Sequence, residues 1–114
     1  GPEAALEMAT INGARALGIG ADAGSLEVGK KADFISINTD AAHLQPVWNP
    51  VATAVFAAQG GDVDTVVING QVIMRKREVL TMNEDEILED VRGRFRDVAS
   101  RAGVDGLTPE WPIV

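Results

Sequence analysis

Gly24-Ser25-Leu26-Glu27-Val28-Gly29-Lys30-Lys31-Ala32-Asp33-Phe34-Ile35-Ser36-Ile37 decides the fold, because glycines and charges give way abruptly to an apolar run. Gly24 and Gly29 can take the positive φ that other residues resist, while Phe34, Ile35 and Ile37 suit a pleated, half-buried surface. The stretch therefore reads as a tight turn feeding a strand. Helical patterns precede it, and a small sheet with one closing helix follows, which gives an α+β class.

On the N-terminal side, Pro2 suits a first helical position and Glu3 the positive end of a helix dipole. Ala5, Leu6 and Ala9 form its apolar stripe. Asn12-Gly13 then interrupts the pattern, since a glycine inside a helix costs about 1 kcal/mol. A second short helix is expected over Ile11 to Leu17, with Thr10 as its cap and Gly18 or Gly20 as its end. Gly13 is expected to allow a close approach, and Arg15 to sit in a structural ion pair.

On the C-terminal side, a loop with Gln45-Pro46 and Asn49-Pro50 leads into a helix predicted over Pro50 to Gln59. Asn49 caps it, Pro50 opens it and Gly60-Gly61 stops it. This helix is apolar nearly all round, so it wants cover on several sides. Val66-Val67-Ile68 and Val72-Ile73-Met74 flank Asn69-Gly70-Gln71, the strongest short-range hairpin signal. Three strands follow, with a fourth if Val79-Leu80 pairs after the Arg75-Lys76-Arg77 turn, which reads as a solvated tip. Asn83 with Glu86 promises a capping box, and Ile87, Leu88, Val91, Phe95, Val98 and Ala102 make one apolar helix face. Asp90 with Arg94 and Asp97 with Arg101 are i,i+4 pairs. Gly103 should stop this helix, leaving an extended tail, 105–114, docked by Trp111 or mobile.

The 114 residues carry a net charge of -7 and 46% hydrophobic residues. That balance fits one soluble domain and disfavours a nucleic-acid surface, which needs clustered Lys and Arg. No apolar run approaches the roughly 18 residues of a membrane span. With no cysteine, neither a disulfide framework nor a thiolate metal site exists, which fits a reducing compartment such as the cytoplasm. The chain opens on Gly1-Pro2 rather than methionine, suggesting an expression remnant or a chain that begins inside a longer protein.

Catalytic patterns are missing. His43 is the only histidine, and a zinc site takes three or four protein ligands. A loop histidine with one hydrogen bond is the expected role, with Trp48 packed beside it. Ser25, Ser36 and Ser100 lack an activating set, Gly18, Gly20 and Gly24 lack the context of a phosphate loop, and Asp62 and Asp64 serve a turn. No catalytic or metal-ligating residue is assigned, and the residues name no substrate contact.

Four blocks carry a family resemblance: Met8 to Gly18, Gly24 to Asp33, His43-Leu44-Gln45-Pro46-Val47-Trp48-Asn49-Pro50, and Asp62 to Gly70. Together they resemble the C-terminal end of an amidohydrolase-superfamily enzyme. The third and fourth point to the branch of cytosine and guanine deaminases, methylthioadenosine/S-adenosylhomocysteine deaminases and triazine chlorohydrolases. Trp48-Asn49 stands where many relatives carry His-Asp before the proline, so the substrate subclass stays open.

The resemblance implies a parent enzyme with a metal-bearing (β/α)8 barrel and a small β-sandwich built from both chain ends. A barrel alone takes about 250 residues, more than this chain holds. Its implied divisions are 1–23, terminal barrel-side helices; 24–82, sandwich strands with the inserted helix 50–59; and 83–114, the closing helix and tail. The implied activity is hydrolytic deamination, or dechlorination, of a nucleobase, nucleoside or related N-heterocycle. Zinc or iron is expected in the parent barrel and no cofactor in this chain, because the family's His-x-His pair, further histidines and aspartate do not occur here. The partners expected are the missing barrel portion and a further copy of the enzyme, with no nucleic acid or membrane. The alternative is a free-standing, non-catalytic α+β interaction module derived from the sandwich segment. An independent enzyme built on His43 has the least support.

Overall fold

A computed structural model describes residues 1–104 and 106. The expected tail, Trp111 included, therefore lies almost wholly outside the described residues. The chain divides into two compact units, Gly1–Thr81 and Met82–Val114.

The first unit opens with α1 (Pro2–Ala9) and α2 (Ile11–Ala16). Pro2 and Glu3 occupy the first turn as the sequence predicts. Thr10 does not cap α2: its Oγ1 donates to Leu6 O at 2.6 Å, because that carbonyl lies one turn back on α1. Gly18, at φ +76°, leads the chain away from α2. Gly24, at φ +91°, lies flat against that helix. A Cβ there would fall 2.7 Å from Ala14 Cβ and 2.9 Å from Ile11 Cα, so no other residue fits without displacing backbone.

Beyond that turn the chain forms a four-stranded antiparallel sheet in the order β1-β2-β3-β4: β1 (Phe34–Ile37), β2 (Val63–Ile68), β3 (Gln71–Arg75) and β4 (Glu78–Val79). The register sets Ile35, Val66, Met74 and Val79 in one row across the sheet and Phe34, Val67 and Val72 in another. Successive side chains along a strand alternate faces, so Phe34 with Ile35 on β1 and Val67 with Ile68 on β2 put apolar groups on both faces. Bulges fall between Ser36 and Ile37 and between Val66 and Val67.

The hydrophobic side chains buried here are Ala14, Leu44, Val67 and Met74, whereas Phe34, Ile35 and Ile68 are exposed. The sheet therefore leaves apolar side chains exposed. Between β1 and β2 runs α3 (Pro50–Phe56), against which α1 packs. Asn49 Oδ1 accepts from Val51 N at 2.9 Å and Ala52 N at 3.1 Å, as its capping role requires. The helix stops short of the predicted Gln59. Gln59 is recruited instead into a capping box with Asp62 that starts a 3-10 turn, Gly60–Asp62.

The second unit contains α4 (Glu84–Ala102). Asn83 Oδ1 accepts from Glu86 N at 3.3 Å, and the reciprocal bond runs to Glu86 Oε1 from the Asn83 side-chain amide rather than its backbone. Gly103, at φ +67°, ends the helix with Gly103 N bonded to Ser100 O and Val104 N to Ala99 O, a Schellman pattern. The pairs Asp90 with Arg94 (2.7 Å) and Asp97 with Arg101 (3.4 Å) form as spaced. No helix among the described residues is long and apolar enough to cross a membrane.

Candidate functional site

The deciding turn spends its charges on its own shape. Lys30 Nζ donates to Ser25 Oγ at 2.7 Å and lies 3.2 Å from Glu27 Oε1, and the Ser25 hydroxyl donates to the same carboxylate. The hydroxyl first and then Lys30 hold the Glu27 carboxyl below its ordinary range. Lys31 N closes the loop on Asp22 O at 2.8 Å. Asp33 accepts a hydrogen bond from Asn69 N, and Ala32 O accepts one from Gly70 N at 3.0 Å. The end of the turn thus clamps the β2-β3 hairpin tip.

An open groove of ≈ 810 Å³ lies beside this clamp, between Ile11 and Leu26 on one side and Phe34 and Val67 on the other. Its volume suits a drug-sized ligand, but its polar groups are already engaged: Asp33 by Asn69, and Ser25 by Lys30 and Glu27. Chemically it is an uncovered core face.

The remaining candidate is the single histidine. The 3-10 turn Ala42–Leu44 buries Leu44 and turns His43 outward. His43 Nε2 donates to Asp62 Oδ2 at 2.9 Å, and the same oxygen accepts from Gln59 N at 2.8 Å. The Gln59 backbone N–H first, and His43 second, pull the Asp62 carboxyl below its ordinary range. Next to Asp62, a cleft of ≈ 100 Å³ is lined by Asn38, Asp64 and Arg77. It is well under the roughly 300 Å³ at which ligand pockets begin. Among the described residues no serine or threonine hydroxyl is hydrogen-bonded to His43, and His43 with Asp62 forms a His–carboxylate staple.

Three expectations change here. Trp48 does not pack: the residue is 93% exposed. Arg15 is exposed and donates to Asn12 Oδ1 at 3.2 Å instead of meeting a carboxylate. Arg77, read as part of a solvated tip, donates through Nη1 to Gly60 O at 3.0 Å and Val63 O at 2.9 Å. Sequence reasoning also missed Asp33 and the partnership of Asp62. The one local signal was an aspartate placed just before the strand that pairs with an Asn-Gly hairpin.

Among the described residues no group of three or more His, Cys, Asp or Glu side chains could hold a metal ion. The site is the exposed apolar surface of a small α+β unit, with the charged groups around its groove engaged in the fold: Asp33 by Asn69, and Glu27 and Lys30 by Ser25 and each other. The chain belongs to the Amidohydrolase family, whose profile matches residues 1–73.

Among its relatives, the 5-methylthioadenosine/S-adenosylhomocysteine deaminase of Acetivibrio thermocellus is 47% identical over 92 residues, covering 81% of this chain and 21% of the relative. An adenosine deaminase from Xanthomonas campestris, crystallised with bound zinc, superposes with a TM-score of 0.77 at 34% identity, over 84% of this chain and 22% of that one. Atrazine chlorohydrolase from Arthrobacter aurescens TC1, complexed with zinc, does so with a TM-score of 0.69 at 27% identity, over 77% and 19%. The chain thus spans about a fifth of the length of the enzymes it matches.

Proposed function

We propose that this chain is the C-terminal scaffold of a metal-dependent aminohydrolase that removes the ring amino group of an adenosine-type nucleoside by hydrolysis. The observation that carries the reading is the 47% identity to a methylthioadenosine/S-adenosylhomocysteine deaminase along most of the chain. The two-sided apolar sheet supports it, because such a surface requires cover that these residues do not supply. In this reading a (β/α)8 barrel covers α3 and the groove, and the parent works in the cytoplasm.

The residues described here do not fit the expected metal. His43 is spent on Asp62, and neither has a third ligand beside it. Zinc is the metal of the two solved relatives, and zinc or iron in the parent would be held by the barrel. What this chain contributes is rigidity. Its turn clamp and hairpin hold a fixed surface against which the barrel's catalytic groups are positioned.

A chimera tests this. The matching fifth of the Acetivibrio thermocellus deaminase is replaced by this chain, and ammonia release from 5-methylthioadenosine is measured beside the chain alone. The chimera should fold and release ammonia while the chain alone, supplied with zinc, releases none. Turnover by the isolated chain would overturn the scaffold role. An inactive chimera that nevertheless folds and binds zinc would overturn the deaminase assignment.

A further inference from the structure

Of the five asparagines in the chain, Asn12 and Asn69 precede a glycine. An asparagine carboxamide is an electrophile toward the backbone nitrogen that follows it, and glycine, with no side chain, leaves that nitrogen least hindered. The two pairs carry the same chemistry in opposite surroundings.

Around Asn69 both backbone N–H groups are held. Asn69 N donates to Asp33 Oδ1 and Gly70 N to Ala32 O at 3.0 Å. Gly70 N is the nitrogen that would attack, and it is free to do so only after the clamp on the hairpin opens. Asn12 and Gly13 lie instead in the first turn of α2, a helix of six residues that buries only Ala14. Gly13 N stands where a capping side chain would reach, but the Thr10 hydroxyl donates to Leu6 O at 2.6 Å and α2 has no side-chain cap. The helical backbone keeps Gly13 N away from the Asn12 carboxamide, so cyclisation waits on local opening. So short a helix has little stability of its own to oppose that. Asn12 is exposed, and its Oδ1 accepts from Arg15 Nη1 at 3.2 Å, which draws electrons from the carbon under attack.

We infer that Asn12-Gly13 is a site of spontaneous deamidation and that the hairpin clamp guards Asn69-Gly70 from the same reaction. Gly13 N attacks Asn12 Cγ and closes a succinimide ring. The side-chain amide leaves as ammonia, carrying off the proton of Gly13 N. Water then adds to one ring carbonyl, the ring C–N bond breaks and a proton passes to the nitrogen. The product is aspartate, or isoaspartate where the chain now runs through Cγ, and each event adds one negative charge to the net -7. An aspartate at position 12 keeps an oxygen beside Arg15 and makes an ion pair of that contact. Isoaspartate lengthens the backbone inside the 2.9 Å bond from Ala14 N to Thr10 O, and so disturbs the seat of Thr10, Ile11 and Ala14 on which Gly24 lies. This is independent of the deaminase reading.

The whole chain is aged in mildly alkaline buffer, with and without denaturing urea, and peptide mapping by mass spectrometry follows conversion at each asparagine. Reaction through an open state scales with the population of that state, and opening Asn69 breaks two hydrogen bonds to another element. In buffer Asn12 should therefore convert about tenfold faster than Asn69, and in urea the two rates should converge. Asp33→Ala should raise the Asn69 rate in buffer and leave that of Asn12 unchanged. Equal rates in buffer, a faster Asn69, an Asn12 that converts only in urea, or an Asn69 rate that Asp33→Ala does not move would each overturn the proposal.

Discussion

The hairpin tips at Asn69-Gly70 and Lys76-Arg77 have nearly the same backbone and opposite causes. All four residues hold positive φ: 51° and 77° in the first turn, 50° and 68° in the second. Asn and Gly enter that region readily, so the first turn forms from its own residues. For Lys and Arg the left-handed conformation costs roughly 1–2 kcal/mol each. The second turn is therefore held from outside, by Arg77 Nη1 on Gly60 O and Val63 O and by Arg77 N on Asp64 O at 3.1 Å. One turn is written locally and the other is imposed by tertiary bonds, and only the first could be read from neighbouring letters.

The largest effect should come from cutting the imposed turn. Arg77→Ala removes a charged donor from two carbonyls and should cost about 2–3 kcal/mol in urea unfolding. A loss no larger than that of the neighbouring Arg75→Ala would show that the bonds do not hold the turn. Asp33→Ala detaches the local turn from the clamp and should cost about 1–2 kcal/mol, with faster hydrogen exchange at Asn69 N. Unchanged exchange there would remove the clamp from the account. Gly70→Ala should cost about 1 kcal/mol, because alanine pays for φ +77° while nothing lies within 4 Å of its Cβ. Lys76→Gly works in the other direction and should stabilise by roughly 0.5–1 kcal/mol, since the imposed conformation then suits its residue. Destabilisation by that glycine would mean that the Lys76 side chain has a role of its own.

Acid should separate the His43–Asp62 staple from both turns. The folded Asp62 carboxyl lies below its ordinary value, so the stability it contributes is fully present above the unfolded carboxylate pKa. It is lost as pH falls through the folded value. Asp62→Asn should therefore flatten the fall in melting temperature between neutral pH and the acid range. An equally steep fall in the variant would place the acid sensitivity elsewhere, with Glu27 the first alternative because its pKa is lowered too.

What the sequence made legible was local. The Asn49 cap, the Asn69-Gly70 turn, the i,i+4 pairs of α4 and its Gly103 stop depend on residues within a few positions of one another. Asp33 to Asn69, His43 to Asp62 and Arg77 to Gly60 span 36, 19 and 17 residues, and no periodicity encodes them. Trp48 and Arg15 were misjudged because burial depends on what packs above a residue, not on its type. Family membership was legible through Gly24 to Asp33, whose glycine and aspartate the structure shows to be held by close packing and a clamp. A catalytic centre was not legible because the described residues contain no ligand cluster to read.

Urea unfolding of the isolated chain, at concentrations low enough to keep copies apart, tests the claim of an unfinished scaffold most directly. The slope of stability against urea scales with the surface buried on folding. A broad transition is expected, with a slope under about 1 kcal/mol per molar urea, sharpening when the same residues unfold within the chimera. A single cooperative transition with the slope of a complete domain of this length, unchanged in the chimera, would contradict it.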